Sequence, residues 1–144
     1  MLKHIIILAV LVNLTVLSMG QSTASDKILD EYQWENRILL VFADSRSSKN
    51  YEHQNKELDG HAEGFKERDL KIFHLFTDDE QQVNQKKTQA LYTEYEVAQG
   101  EFTVILIGKD GTEKLRTSEL LEVKKLFSVI DAMPMRQREM RQES

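Results

Sequence analysis

The sequence of 144 residues contains no cysteine, and that one absence removes several classes of chemistry. Thiol–disulfide exchange needs a thiolate to attack a disulfide sulfur, and no other side chain can take that part. Disulfide staples are excluded with it, as is a lipid anchor on a cysteine at a cleavage site. Basic residues form no stripe. The 19 lysines and arginines are interspersed with 24 aspartates and glutamates, for a formal net charge of −5. Nothing in that pattern would neutralise a row of phosphates, so nucleic acid is not an expected partner. Beyond the first 20 residues, no stretch stays apolar over the roughly 20 residues needed to cross a bilayer.

Metal and nucleophile patterns are missing as well. Outside the first 20 residues the histidines are His53, His61 and His74, and none pairs at a zinc spacing. Asp78-Asp79-Glu80 lacks the glycine and spaced carboxylates of a calcium loop, and a helix N-terminus that favours negative charge accounts for it. Ser45, Ser47 and Ser48 lie near His53 but carry no Gly-x-Ser-x-Gly elbow, so helix capping and loop solvation explain them. No catalytic residue, metal site or cofactor is expected.

What is present begins with an export signal. Lys3 supplies a short positive region, residues 5–12 are uninterruptedly apolar, and Ser18-Met19-Gly20 and Ser22-Thr23-Ala24 offer small residues for cleavage. Gly20 is the expected cleavage point and Ala24 the alternative. Residues 1–20 are read as a secretory signal peptide, 21–35 as an N-terminal lead-in and 36–144 as the domain with a short basic, Met-containing tail. Cleavage would leave about 124 residues, one domain by length, able to bury roughly two-thirds of its unfolded surface. Loss of Lys3 takes the net charge from −5 to −6. The expected location is secreted or periplasmic, with no stable membrane insertion after the signal is removed.

The pattern of the remainder alternates strand and helix. Residues 37–43, continuously apolar after Arg37 and too short for a helix, read as a buried central strand. Tyr51, Leu58, Ala62 and Phe65 share one helical face, with Gly64 placed to end or loosen the helix. Residues 69–76 read as a second strand. Thr77 and Glu80 read as a capping box opening a solvated helix that turns amphipathic near Leu91 and Tyr95. Residues 102–107 and 114–116 read as two strands joined by a turn at Gly111. A last helix is expected over 118–132, with Leu120, Val123, Phe127 and Ile130 inward. Pro134 disfavours a helical Met133 and suits the first turn of a new helix. This order fits an α/β sandwich with a central mixed sheet of about four strands and helices on both faces. In such sheets ligand and catalytic groups collect beyond the carboxyl end of a central strand, here Asp44, Ser45, Arg46, Ser47 and Ser48.

The segment Ala43-Asp44 followed by a loop and a helix resembles the place where thioredoxins hold Cys-x-x-Cys, but this chain has Arg46, Ser47, Ser48 and Lys49 there. Where thioredoxins place a cis-proline it has Glu101-Phe102, expected to be joined by a trans bond. A tighter resemblance, over about residues 34–141, is to the family known as domain of unknown function 4174. Those are secreted thioredoxin- or peroxiredoxin-like domains, as in coiled-coil domain-containing protein 80 and sushi-repeat proteins. The residues carrying it are Asn36-Arg37, Leu40-Val41-Phe42-Ala43, Glu67-Arg68-Asp69-Leu70, Leu106-Ile107-Gly108-Lys109-Asp110-Gly111 with Lys114-Leu115-Arg116, and Ile130-Asp131-Ala132-Met133-Pro134-Met135-Arg136 with Arg138-Glu139-Met140-Arg141. The resemblance implies a thioredoxin-like sandwich and an export route, and no reaction.

Two groups of residues remain as candidates for a binding or structural site. One is the loop Asp44–Ser48. The other comprises Arg37 and Arg68, each just ahead of a strand and expected to brace a carboxylate such as Asp69 or Asp44, with Arg136, Arg138 and Arg141 of the tail. Together they point to a non-catalytic binding module for a protein or envelope component. The alternative is an enzyme of non-thiol chemistry at the loop after the first strand.

Overall fold

The computed structural model describes residues 27–78 and 85–144. The signal-like segment with Gly20 lies outside the described residues, as do Asp79 and Glu80 of the expected capping box. Strand β1, Arg37–Ala43, is buried at all seven positions, which is why its sequence after Arg37 is continuously apolar rather than alternating. It pairs in parallel with β2, Leu70–Phe76, through a crossover made by helices α1, Lys49–Leu58, and α2, Ala62–Glu67. On its other side β1 pairs antiparallel with β3, Thr103–Ile107, which pairs antiparallel with β4, Glu113–Thr117. The order is β2-β1-β3-β4. Helix α3, Gln85–Glu94, follows β2, and α4, Val123–Asp131, and α5, Pro134–Gln142, close the chain.

Because side chains alternate across a strand, the sheet divides the core in two. Leu39, Val41, Val104 and Leu106 face α1 and α4 through Tyr51, Leu58, Leu126 and Ile130. Ile38, Leu40, Phe42 and Ile105 face the lead-in and α3 through Leu29, Leu91 and Tyr92. This is the expected mixed four-stranded sheet covered on both faces. Among the described residues no helix is long and apolar enough to cross a membrane.

Two local expectations need correction. The helix from Tyr51 breaks at Gly60, whose φ of 79° needs no Cβ, while Gly64 lies inside α2. Gly64 is there for close approach, since a Cβ on it would stand 2.6 Å from the Phe127 ring. The final long helix begins at Val123, not near residue 118. Its lead-in is captured by α1 instead: the buried Gln54 amide donates to the Leu121 carbonyl and accepts from the Leu121 N–H, and Glu57 accepts from the Val123 N–H. Leu121 and Leu126 consequently fill the core, and Leu120 is 48% exposed. The Thr77 hydroxyl donates to the Asp44 carbonyl and carboxylate, both at 3.0 Å, and Glu80, its partner in the expected capping box, lies outside the described residues.

Tyr92 joins the parallel pair β1 and β2, its hydroxyl lying 3.1 Å from the carbonyls of Ala43 and Leu75. Burial pushes its ionisation up to about 12, so it stays a donor. Helix α3 ends with Glu96 at a φ of 51°, the Val97 N–H reaching back to the Tyr92 carbonyl and the Glu96 N–H to Thr93, a Schellman closure. The Glu101–Phe102 bond is trans, as expected, and Phe102 packs against the core cluster that contains Ala43 and Tyr51.

Gly64→Ala tests the α2–α4 contact. Helix propensity alone would favour alanine by about 1 kcal/mol. The Phe127 ring, however, is wedged between Phe65, His61 and the Arg68 guanidinium, which lies 4.0 Å from its centre. Overpacking should win, lowering stability by about 1–2 kcal/mol in chemical denaturation. An unchanged or raised midpoint would show that the ring has room to move.

Candidate functional site

The two candidate groups sit at opposite ends of β1, about 20 Å apart at the rise of a strand. At the carboxyl end, the polar groups of the loop are turned on one another. Asp44 accepts from Thr77, Ser45 Oγ and Ser47 Oγ lie 3.2 Å apart, and Ser48 Oγ donates to the Ser45 carbonyl. Ser48 occupies the N-cap position of α1, yet its hydroxyl caps no helical N–H. That removes the capping role expected for it: the hydroxyl is turned to donate to the Ser45 carbonyl and accepts from no helical N–H. The Arg46 guanidinium covers the Phe76 ring at 4.5 Å. Beside it the Tyr51 hydroxyl meets His74 Nδ1 at 3.2 Å. Burial, then the Arg46 charge, lowers the His74 pKa, so the imidazole is neutral at neutral pH. Burial also raises the Tyr51 pKa against the opposing pull of Arg46.

Tyr51 and His74 were not singled out by the sequence. Their partnership joins a helix to a strand 23 positions away, and no local spacing announces it. An open groove of about 470 Å³ lies at the same end of the sheet, lined by Glu96, Glu101, Thr103, Arg116 and Glu119, and none of Asp44–Ser48 lines it. Among the described residues no group of three or more His, Asp or Glu side chains could hold a metal ion.

At the amino end of β1 the arginines converge. Arg37 is 1% exposed and forks onto Glu139 of α5 at 3.1 and 3.2 Å, while also donating to the Arg68 carbonyl. Arg68 forks onto Asp131 at 2.9 and 2.8 Å. Arg136, also 1% exposed, reaches Glu67 at 2.7 Å and Asp131 at 3.4 Å. Lys109 ties Asp69 to Glu139 at 2.7 and 2.8 Å. Arg37, Arg68, Lys109 and Arg136 thus face Glu67, Asp69, Asp131 and Glu139 in one charge-balanced network. The bracing expected of Arg37 and Arg68 is present, but through Glu139 and Asp131 and not through Asp69 or Asp44, because α5 folds back across the strand ends.

The tail arginines separate. Pro134 starts α5, with Met133 extended at ψ 138°, as the sequence predicts. Arg136 points into the network, while Arg138 and Arg141 are exposed. The sequence did not mark Lys109, Asp131 and Glu139 as participants. Only the Arg136–Glu139 spacing of three, which places both on one helical face, hinted at any of them.

Burial pushes the Asp131 and Glu139 carboxyls up, but the hydrogen bonds and charges of Arg68, Arg136, Lys109 and Arg37 outweigh it and hold both below their ordinary values. Groups with lowered folded pKa values stabilise the fold fully above their unfolded values, 4.5 for Glu139 and 3.8 for Asp131. That stability is lost as pH falls through the lower folded values. Arg136→Ala should cost about 2–3 kcal/mol at neutral pH, since charged hydrogen bonds are lost. Arg138→Ala should stay within about 0.5 kcal/mol. The gap between Arg136→Ala and the parent should narrow in thermal melts taken below pH 3.8. Equal effects of the two substitutions would remove Arg136 from its bracing role.

Comparison with known proteins agrees with this architecture. The solved structure of reduced Plasmodium vivax 2-Cys peroxiredoxin superposes with a TM-score of 0.61 at 15% identity, covering 76% of this chain and 84% of that one. Plasmodium yoelii thioredoxin peroxidase I gives 0.60 at 16% identity, over 76% and 79%. Trxlp from Edwardsiella tarda EIB202 gives 0.52 at 23% identity, over 74% and 93%. At these identities the similarity shows the fold alone, a thioredoxin-like α/β sandwich. No curated protein matches the sequence. The sequence matches the family described as "Domain of unknown function (DUF4174)" over residues 28–139, and the chain belongs to that family.

Proposed function

We propose that this domain is an exported, non-catalytic binding module that holds a protein or an envelope component on a thioredoxin-like frame. One observation carries the reading. Where an open α/β sheet gathers its chemistry, the chain offers no thiol, and Asp44, Ser45 and Ser48 spend their hydrogen bonds on one another and on Thr77. A nucleophile needs an oriented base. The neutral His74 bonds Tyr51 instead of a serine. The arginine network at the other end is charge-balanced and braces α5, so binding is assigned to the surface outside it. Export rests on Lys3, the apolar run and the small residues before Gln21.

The purified protein should reduce no insulin above a buffer blank. Mass spectrometry of the native product should find an N-terminus between Gln21 and Asp26 in the soluble exported fraction. Insulin turnover would sink the non-catalytic reading, and an intact Met1 in the membrane fraction would sink export. A second reading, non-thiol catalysis beside the loop, is favoured by the neutral His74 with Tyr51 and Arg46 close by. A fluorophosphonate probe decides between them. The binding module leaves Ser45, Ser47 and Ser48 unlabelled, and covalent labelling of any of them would favour the enzyme.

A further inference from the structure

Trp34 is the only tryptophan of the chain, and it is 61% exposed. Its backbone φ is 70°, a left-handed conformation that a bulky side chain adopts only when its surroundings impose it. Those surroundings are hydrogen bonds that fix the turn and leave the ring outside. The Trp34 N–H donates to the Lys109 carbonyl at 2.6 Å, and the Tyr32 carbonyl accepts from the N–H groups of Glu35 and Asn36. Gln33 donates to the Asp110 carbonyl and Asn36 to the Asp69 carbonyl. Trp34 belongs to neither core cluster, and among the described residues its ring stacks on no other ring and under no cation. The turn is fastened to the domain, yet the large apolar ring it carries is buried in neither core cluster, and exposed tryptophans of this kind suit recognition.

The charge around the ring selects the partner. Asp30, Glu31 and Glu35 are exposed on the same short segment, and no basic residue lies between Asp30 and Asn36. Glu31 is paired with Lys87, but Glu35 makes no ion pair among the described residues. An indole face beside an uncommitted carboxylate suits a guanidinium or ammonium, which gains from both the ring quadrupole and the negative charge. An anionic lipid surface would be repelled by the same acids.

We infer that Trp34 and Glu35 form the docking point for a partner protein that presents an exposed arginine or lysine. This rests on the binding reading proposed above. The full domain provides its own probe, because emission from the lone tryptophan reports on this site. Titration with a synthetic Gly-Ser peptide carrying spaced arginines should shift Trp34 emission saturably. The same peptide with glutamates, and vesicles containing phosphatidylglycerol, should leave it unchanged. Glu35→Lys should weaken the arginine peptide about tenfold or more, and Trp34→Gly, followed by calorimetry, should do likewise. Because glycine accepts positive φ without strain, Trp34→Gly should also raise the melting temperature.

A lowered melting temperature would make Trp34 a structural residue and overturn the inference. So would an emission shift with vesicles in place of the peptide, or an equal loss of peptide binding on changing the remote Glu119 to Gln. The two levels of argument fail separately. If the native protein captures a partner that Trp34→Gly captures equally well, the docking point is wrong and the binding module stands. If the native protein captures nothing, the binding reading itself falls.

Discussion

A guanidinium buried at the start of the central strand organises much of this structure. Arg37 is 1% exposed, and taking its charge out of water would be prohibitive without a partner held in fixed geometry. Glu139 supplies that partner from 102 positions away, so β1 cannot begin as it does unless α5 folds back over the strand ends. Even then the account is not perfect, since Arg37 Nε is buried without a hydrogen bond. The break at Pro134 becomes intelligible in this light. A straight continuation of α4 would carry Arg136 and Glu139 past the strand ends, whereas the extended Met133 turns the new helix back across them.

The opposite end of β1 illustrates what a fold retains when its usual chemistry is absent. The strand still runs into a loop and a helix N-terminus, yet the small polar residues there are consumed in local bonding. Asp44 is held by Thr77 from the end of β2, so the loop is pinned to the sheet. Arg46 lies over Phe76, and Tyr51 and His74 close the flank. Such an arrangement turns the loop's polar groups on its own neighbours. The binding proposed for this domain is therefore assigned to other parts of the surface, with the turn at Trp34 as the inferred docking point.

Much of the fold was legible in the residues. The run 37–43, apolar after Arg37 and too short for a helix, reads as a strand buried on both faces, and Gly111 and Pro134 mark a turn and a helix start through their backbone constraints. Legibility failed where a long-range contact overrode a local pattern. Residues 118–122 have the spacing of a helix, but Gln54 and Glu57 on α1 take the backbone groups of Leu121 and Val123 first. Gly64 resembles a helix terminator, and its actual constraint is the ring of Phe127 arriving from α4.

The candidate site divides along the same line. By itself the sequence determined that no thiol chemistry is possible, that a parallel–antiparallel sheet would carry a polar loop after its first strand, and that a second helix would begin at Pro134. These are consequences of side-chain chemistry and of constraints reaching only a few residues. Only the tertiary structure decided which arginines matter. Arg136 and Arg138 are indistinguishable by type and neighbourhood, but two residues along a helix place them on opposite faces, and the docked face buries one and leaves the other in water. The same holds for Trp34, whose apolar ring would be assigned to the core by composition. It stands in solvent because the turn that carries it is fastened by Lys109, a residue 75 positions further along the chain.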